Sequence, residues 1–198
     1  MSSGVSSPSS PSTLVGLLWP ARDEARFAVI RAALLVAAGV ALLIASAKIQ
    51  VPFYPVPMTL QTLAVLLIGA AYGWRLGGLT VALYIAQGTA GLPVFAGPMA
   101  GAAYLAGPTG GFIIGFFFAA VVTGYLAERG WDRSWLSVIA MMAIGHAVNF
   151  AFGLGWLATI MPLAKAWAVG AAPFMLATLL KTALAVAAMQ AAWSLARR

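Results

Sequence analysis

Lys181 is the only charge that falls within a long apolar stretch away from the arginine-bearing ends of such stretches. An ionisable side chain at membrane depth is costly. It either serves a function or reaches along its own stem to the interface, keeping its head in water. As a functional group it offers a cation to an anionic ligand, most simply a carboxylate. Thr178 stands three residues earlier, on the same face of a helix. His146 and Asn149 form a second pair at that spacing. Asn149 can hydrogen-bond a ligand or a neighbouring helix. A lone His, without a second His or a carboxylate near it, reads as a packing residue rather than a metal ligand. Other chemistries find no residues. There is no G-x-x-x-x-G-K-[ST], so ATP hydrolysis must come from elsewhere. No pair of intramembrane carboxylates could relay protons or hold a catalytic metal. G-x-S-x-G and H-E-x-x-H are missing, and Cys is absent.

The elements that must position these groups are membrane spans. Residues of the AVILMFWYC set make up 63% of the 198 residues and charged residues 8%. Soluble domains average about 45–50% and about 25%. So few charges cannot dress a soluble surface, which excludes a soluble globular domain, a disordered chain and a nucleic-acid binder. The net charge of +7 comes from scarce acids (Asp23, Glu24, Glu128 and Asp132), not from a basic patch. A span needs about 20 mostly apolar residues. Six candidates follow: 27–47, 59–72, 76–87, 110–127, 136–156 and 173–195. The second and third are short. Residues 1–13 are Ser- and Pro-rich and predict disorder; no basic region precedes an apolar one there, against a signal peptide. The apolar run 14–19 is expected at the interface. The chain thus divides into a tail, 1–26, and a transmembrane domain, 27–198.

Six spans place both termini on one side. Arg22, Arg26, Arg31, Arg75, Arg129, Arg133, Arg197 and Arg198 then share that side, and Lys48 and Lys165 lie opposite. Positively charged loops mark the cytoplasmic side. Trp74, Trp131 and Trp135 fit an aromatic belt there. On the outer side the loop after the first span carries Pro52, Pro55 and Pro57, which favour extended backbone. The loop after the third span, 91–111, is uncharged and rich in Gly and Pro. It is expected to fold into the mouth of the bundle, where non-helical backbone is tolerated if it lines a cavity. The first span carries Ala33, Ala37, Ala41 and Ala45 at spacing four, a row that lets another helix approach closely.

Three segments carry a resemblance: Val51-Pro52 through Val56-Pro57-Met58-Thr59-Leu60-Gln61-Thr62, Gly91-Leu-Pro-Val-Phe-Ala-Gly97, and Gly107-Pro-Thr-Gly-Gly-Phe112. In this order they resemble the BioY family, the biotin-binding S components of energy-coupling factor (ECF) transporters. Phe174 and Lys181 also fit, and the likeness spans about 32–195. It implies an all-α integral membrane protein with the six-helix S-component fold and cytoplasmic termini, in the bacterial inner membrane. It implies a transport subunit and not an enzyme, with biotin as transported ligand and no cofactor of its own. The Ala33/Ala37/Ala41/Ala45 face would dock onto a transmembrane coupling subunit, and separate ATP-binding subunits would supply energy. Membrane lipid is the remaining partner, and no nucleic acid is implied. Lys181 would meet the biotin carboxylate. The ureido ring would be held by Thr178, Gln61, Asn149 or the backbone from Gly97 to Gly101. Phe95, Met99 and Trp156 complete the candidate ligand-binding set. The chain departs from the family pattern at Thr178, often acidic, at Met99, often polar, and at Ile113, sometimes basic. Those departures leave open an S component for another vitamin; a membrane enzyme or scaffold is the reading from a different class.

Overall fold

The computed structural model describes residues 13–20 and 24–196. Of residues 1–13, expected to be disordered, 1–12 lie outside the described residues, as do Arg22, Arg197 and Arg198; Thr13 is ordered, its hydroxyl accepting from the Gly16 N–H at 3.1 Å as the cap of α1. The order of elements is α1 (Leu14–Leu18), α2 (Ala25–Lys48), β1 (Gln50–Val51), β2 (Met58–Thr59), α3 (Gln61–Thr89), α4 (Ala102–Ala106), α5 (Gly110–Ala127), α6 (Trp135–Ile160), α7 (Leu163–Gly170), a 3-10 turn (Ala172–Phe174) and α8 (Met175–Ala196). Five helical stretches are long and apolar enough to cross a membrane: Ala25–Lys48, Gln61–Thr89, Gly110–Ala127, Trp135–Ile160 and Leu163–Ala196.

The second of these is a hairpin. In a straight helix Gln61 and Tyr84 would stand about 35 Å apart at 1.5 Å per residue. Instead the Gln61 side-chain amide donates to the Tyr84 hydroxyl at 2.6 Å. The chain reverses at Gly73, whose φ of 82° suits a residue without Cβ. A Cβ at Gly77 would lie 3.0 Å from the Cα of Gly69, so the limbs 61–72 and 74–89 touch through bare backbone. Glu128, at the end of α5, accepts from the Trp74 N–H at 3.2 Å and caps the restarting helix. The turn falls between the segments 59–72 and 76–87, expected as the second and third spans.

α5 is the central helix, packed between the α3 hairpin and α6. The described residues Arg26, Arg31, Arg75, Arg129 and Arg133 belong to one end of the bundle: the start of α2, the Gly73 turn and the α5–α6 loop. At this end Leu14 is buried in the core and α1 packs on α3 and α8. The run expected at the interface thus packs on the helical bundle. One apolar turn gains more by filling the gap between two helices than by lying beside them. Leu176, Leu179, Leu180 and Leu184 of α8, and Val29, Leu34 and Leu42 of α2, are exposed, as side chains bathed in lipid would be.

Asp132 is fully buried at the same end, where it accepts from the Trp193 indole N–H at 3.1 Å. The Arg133 guanidinium stands 5.6 Å from the Trp193 ring. Burial pushes the Asp132 carboxyl above its usual range, opposed by its hydrogen bonds and by Arg133. A raised pKa in the folded state means that this group favours folding below its unfolded pKa. That contribution is lost as pH rises through the folded value. Asp132→Asn keeps an acceptor for Trp193 and does not titrate. Its thermal midpoint in detergent is expected to exceed that of the parent at neutral pH, with the gap closing on acidification. A gap that stays constant with pH would show that the carboxyl carries no such cost.

Candidate functional site

At the end opposite the arginines, three connections converge. β1 and β2 form a small antiparallel ribbon, Gln50 opposite Thr59 and Val51 opposite Met58, between α2 and α3. The uncharged loop and α4 lie between α3 and α5. α7 and the 3-10 turn lead into α8. Beneath them is a cavity whose aromatic wall is Tyr104, Phe112, Phe116, Phe150 and Phe174. Its polar groups are Thr59 from β2, Gln61 and Thr62 from α3, Tyr104 from α4, Thr109 just before α5, His146 and Asn149 from α6, and Thr178 and Lys181 from α8.

Lys181 is 6% exposed. Its ammonium has a single hydrogen bond among the described residues, to the Thr62 hydroxyl at a long 3.4 Å. An ammonium carries three donors, and no carboxylate is among the described residues lining the cavity. Asn149 is buried with its side-chain oxygen unpartnered. Gln61 is held from both sides, its Nε2 donating to Tyr84 and its Oε1 accepting from Thr59 at 3.2 Å. The site is thus an apolar, aromatic chamber with one under-bonded cation and a few neutral donors and acceptors. Such a chamber suits a mostly apolar ligand with a single acid group. Its free volume is about 50 Å³, room for roughly three to five waters; a larger ligand requires the lining to part.

Of the candidate ligand-binding residues, Lys181, Thr178, Gln61 and Asn149 line this one cavity, with Lys181 buried against it. The remaining candidates stand elsewhere. Phe95 lies beside the chamber, not in its wall: its ring fills the space a Cβ at Gly88 would need, stacks on Tyr104 at 4.9 Å and meets the edge of Tyr84 at 5.6 Å. Gly97 and Gly101 have φ of 76° and 84°, with open space where a Cβ would project. Met99 is 65% exposed. Trp156 donates from its indole to the Gly107 carbonyl at 2.9 Å and ties α6 to the loop. None of these five lines the cavity. The loop does fold into the mouth, but its contributions are Ala96, Tyr104 and Thr109. The latter two are not among the candidates named from the sequence. Tyr104 and Thr109 are the only polar side chains between Gly91 and Gly111, a signal that could have found them. His146, read as a packing residue, is also in the wall.

Ala33, Ala37, Ala41 and Ala45 are all exposed on α2. The first three line an open apolar groove with Leu79, Leu83 and Gln87 of the second α3 limb. Lys165, expected in a loop, is exposed on α7.

Comparison with known proteins gives consistent matches. The profile described as the BioY family covers residues 19–198. A probable biotin transporter BioY from Pyrococcus horikoshii is 40% identical over 152 residues, spanning 77% of this chain and 90% of that protein. The biotin transporter BioY of Thermotoga maritima is 39% identical over 154 residues, spanning 76% and 90%. Among solved structures, an S-component for biotin from an ECF-type ABC transporter superposes with a TM-score of 0.73 at 25% identity, covering 82% of this chain and 90% of that one.

Proposed function

The chain belongs to the BioY family, and from that membership we propose that it captures biotin at the membrane as the S component of an ECF transporter. It is a transport subunit and not an enzyme. The observation that carries the reading is the buried Lys181, under-bonded in an aromatic chamber without a carboxylate. Biotin has one carboxylate on an apolar tail and a neutral ureido ring. Lys181 takes the carboxylate. Asn149, with its free acceptor, and Thr178 and Gln61 meet the ureido group, and the Phe112, Phe116, Phe150 and Phe174 wall excludes water around the ring system. Titration of biotin into the purified protein is expected to show saturable one-to-one binding. Heat without saturation, or none, would remove biotin as the ligand.

In this reading both limbs of α3 cross the bilayer, giving six spans with both termini in the cytoplasm of a bacterial inner membrane. The arginine end is then inside, and the cavity opens outward. The exposed alanine row of α2 docks onto a transmembrane coupling subunit, which relays the work of ATP-binding subunits. Reporter fusions after Trp74, near Pro98 and after Gly130 are expected to report inside, outside and inside. An external carboxyl terminus would overturn the arrangement.

A further inference from the structure

A lysine at the end of a helix ordinarily keeps its head in water. Lys48, the last residue of α2, is exposed, yet its head is tied to the chain. Its ammonium donates to the carbonyls of Pro93 and Phe95, both at 2.8 Å, across 45 and 47 residues of sequence. The carbonyl between them, that of Val94, accepts from the Tyr84 hydroxyl at 3.0 Å. Three successive carbonyls are therefore held from two helices, the outer two by α2 and the middle one by α3. The next residue, Ala96, is in the cavity wall. Past it, Met99 is exposed, and the chain is next tied to α3 where the Gly101 N–H donates to the Gly88 carbonyl at 2.8 Å.

The cavity is too small for biotin as it stands, so part of its lining must move to admit the ligand and return to retain it. The helical walls pack on one another; the 93–96 segment is held by the Phe95 ring in its notch at Gly88 and by these hydrogen bonds, of which the two from Lys48 come from an exposed side chain. We infer that Lys48 is a positioning residue that straps the 93–96 segment over the ligand chamber and slows escape of the ligand. The inference rests on the biotin reading for its ligand and on the hydrogen bonds for its geometry. The strap also joins the roof of the chamber to α2, the helix that bears the alanine row.

The test compares Lys48→Met and Lys48→Arg with the parent protein in detergent. Methionine keeps much of the stem and removes the donors. Biotin dissociation is expected to be roughly five- to tenfold faster in Lys48→Met, about the net worth of one ordinary hydrogen bond, because water screens the bonds of an exposed ammonium. Association should not slow, and the unfolding midpoint without biotin should be unchanged. Lys48→Arg should restore slow dissociation in part, since a guanidinium can also serve two carbonyls. Hydrogen exchange of amides 94–97 without ligand is expected to rise in Lys48→Met and to fall back in Lys48→Arg. Parental dissociation and exchange in Lys48→Met would overturn the strap. So would a drop in the unfolding midpoint that arginine does not rescue, because it would mark a merely structural residue. If the parent protein fails to bind biotin, the ligand reading falls, while the exchange comparison still decides whether Lys48 holds the loop.

Discussion

Lys181→Ala is expected to weaken biotin binding ten- to a hundredfold, while a biotin amide loses little between parent and variant. The size follows from the net worth of a hydrogen bond to a charged group, about 1.5–3 kcal/mol. The direction follows from the site: the ammonium is 6% exposed with a single 3.4 Å contact to Thr62 among the described residues, so its remaining donors await an anion. The amide has no negative charge to lose, which makes it the control for general damage to the chamber. Lys181→Arg is expected to rescue in part, because a planar fork differs in shape from a compact ammonium. Lys165→Ala on exposed α7 should stay within about 0.5 kcal/mol of the parent, as surface changes do. Calorimetry on the purified variants checks all four. Parental affinity in Lys181→Ala would mean that the carboxylate is held by other donors or left in water, and the assignment of the site would fail at its central residue.

The paired substitution Ala37→Leu with Ala41→Leu is expected to abolish uptake in cells and recovery of the assembled complex, with biotin binding by the isolated subunit nearly intact. Both alanines are exposed and line the groove between α2 and the second limb of α3. A partner helix can approach that closely only over small side chains, and two leucines would hold it off. The ligand chamber draws no residue from α2, so binding serves as the internal control. Uptake and complex recovery at parental levels would make this an ordinary lipid-facing surface. Loss of biotin binding as well would point to misfolding instead of failed docking.

Much of this was legible in the residues alone. A chain with 8% charged residues has no means of covering a soluble surface, so the spans follow from composition. The arginine asymmetry separates the two ends of the bundle. Lys181 and Thr178, and His146 and Asn149, share a face because helical period is a local property that needs no tertiary information. The motifs around Pro52–Thr62, Gly91–Gly97 and Gly107–Phe112 were enough to place the family.

What a loop does with its side chains was beyond the sequence. Phe95, Gly97, Met99 and Gly101 sit in the motif that identifies the family, yet none lines the cavity. Their places depend on Gly88, which leaves a notch for the Phe95 ring, and on Tyr84 and Lys48, which grip the carbonyls beside it. Trp156 likewise spends its indole N–H on Gly107 instead of a ligand. The grip of Lys48 on Pro93 and Phe95 and the bond from Gln61 to Tyr84 have no period or propensity to announce them. The helices and their faces were therefore determined by the sequence on its own, through the repeat of apolar side chains and the placement of charge. The wall of the chamber, its roof and the contact between the limbs of α3 were decided by tertiary structure. The physical reason is that they arise where segments distant along the chain meet within hydrogen-bond or van der Waals reach, and no local pattern encodes that distance.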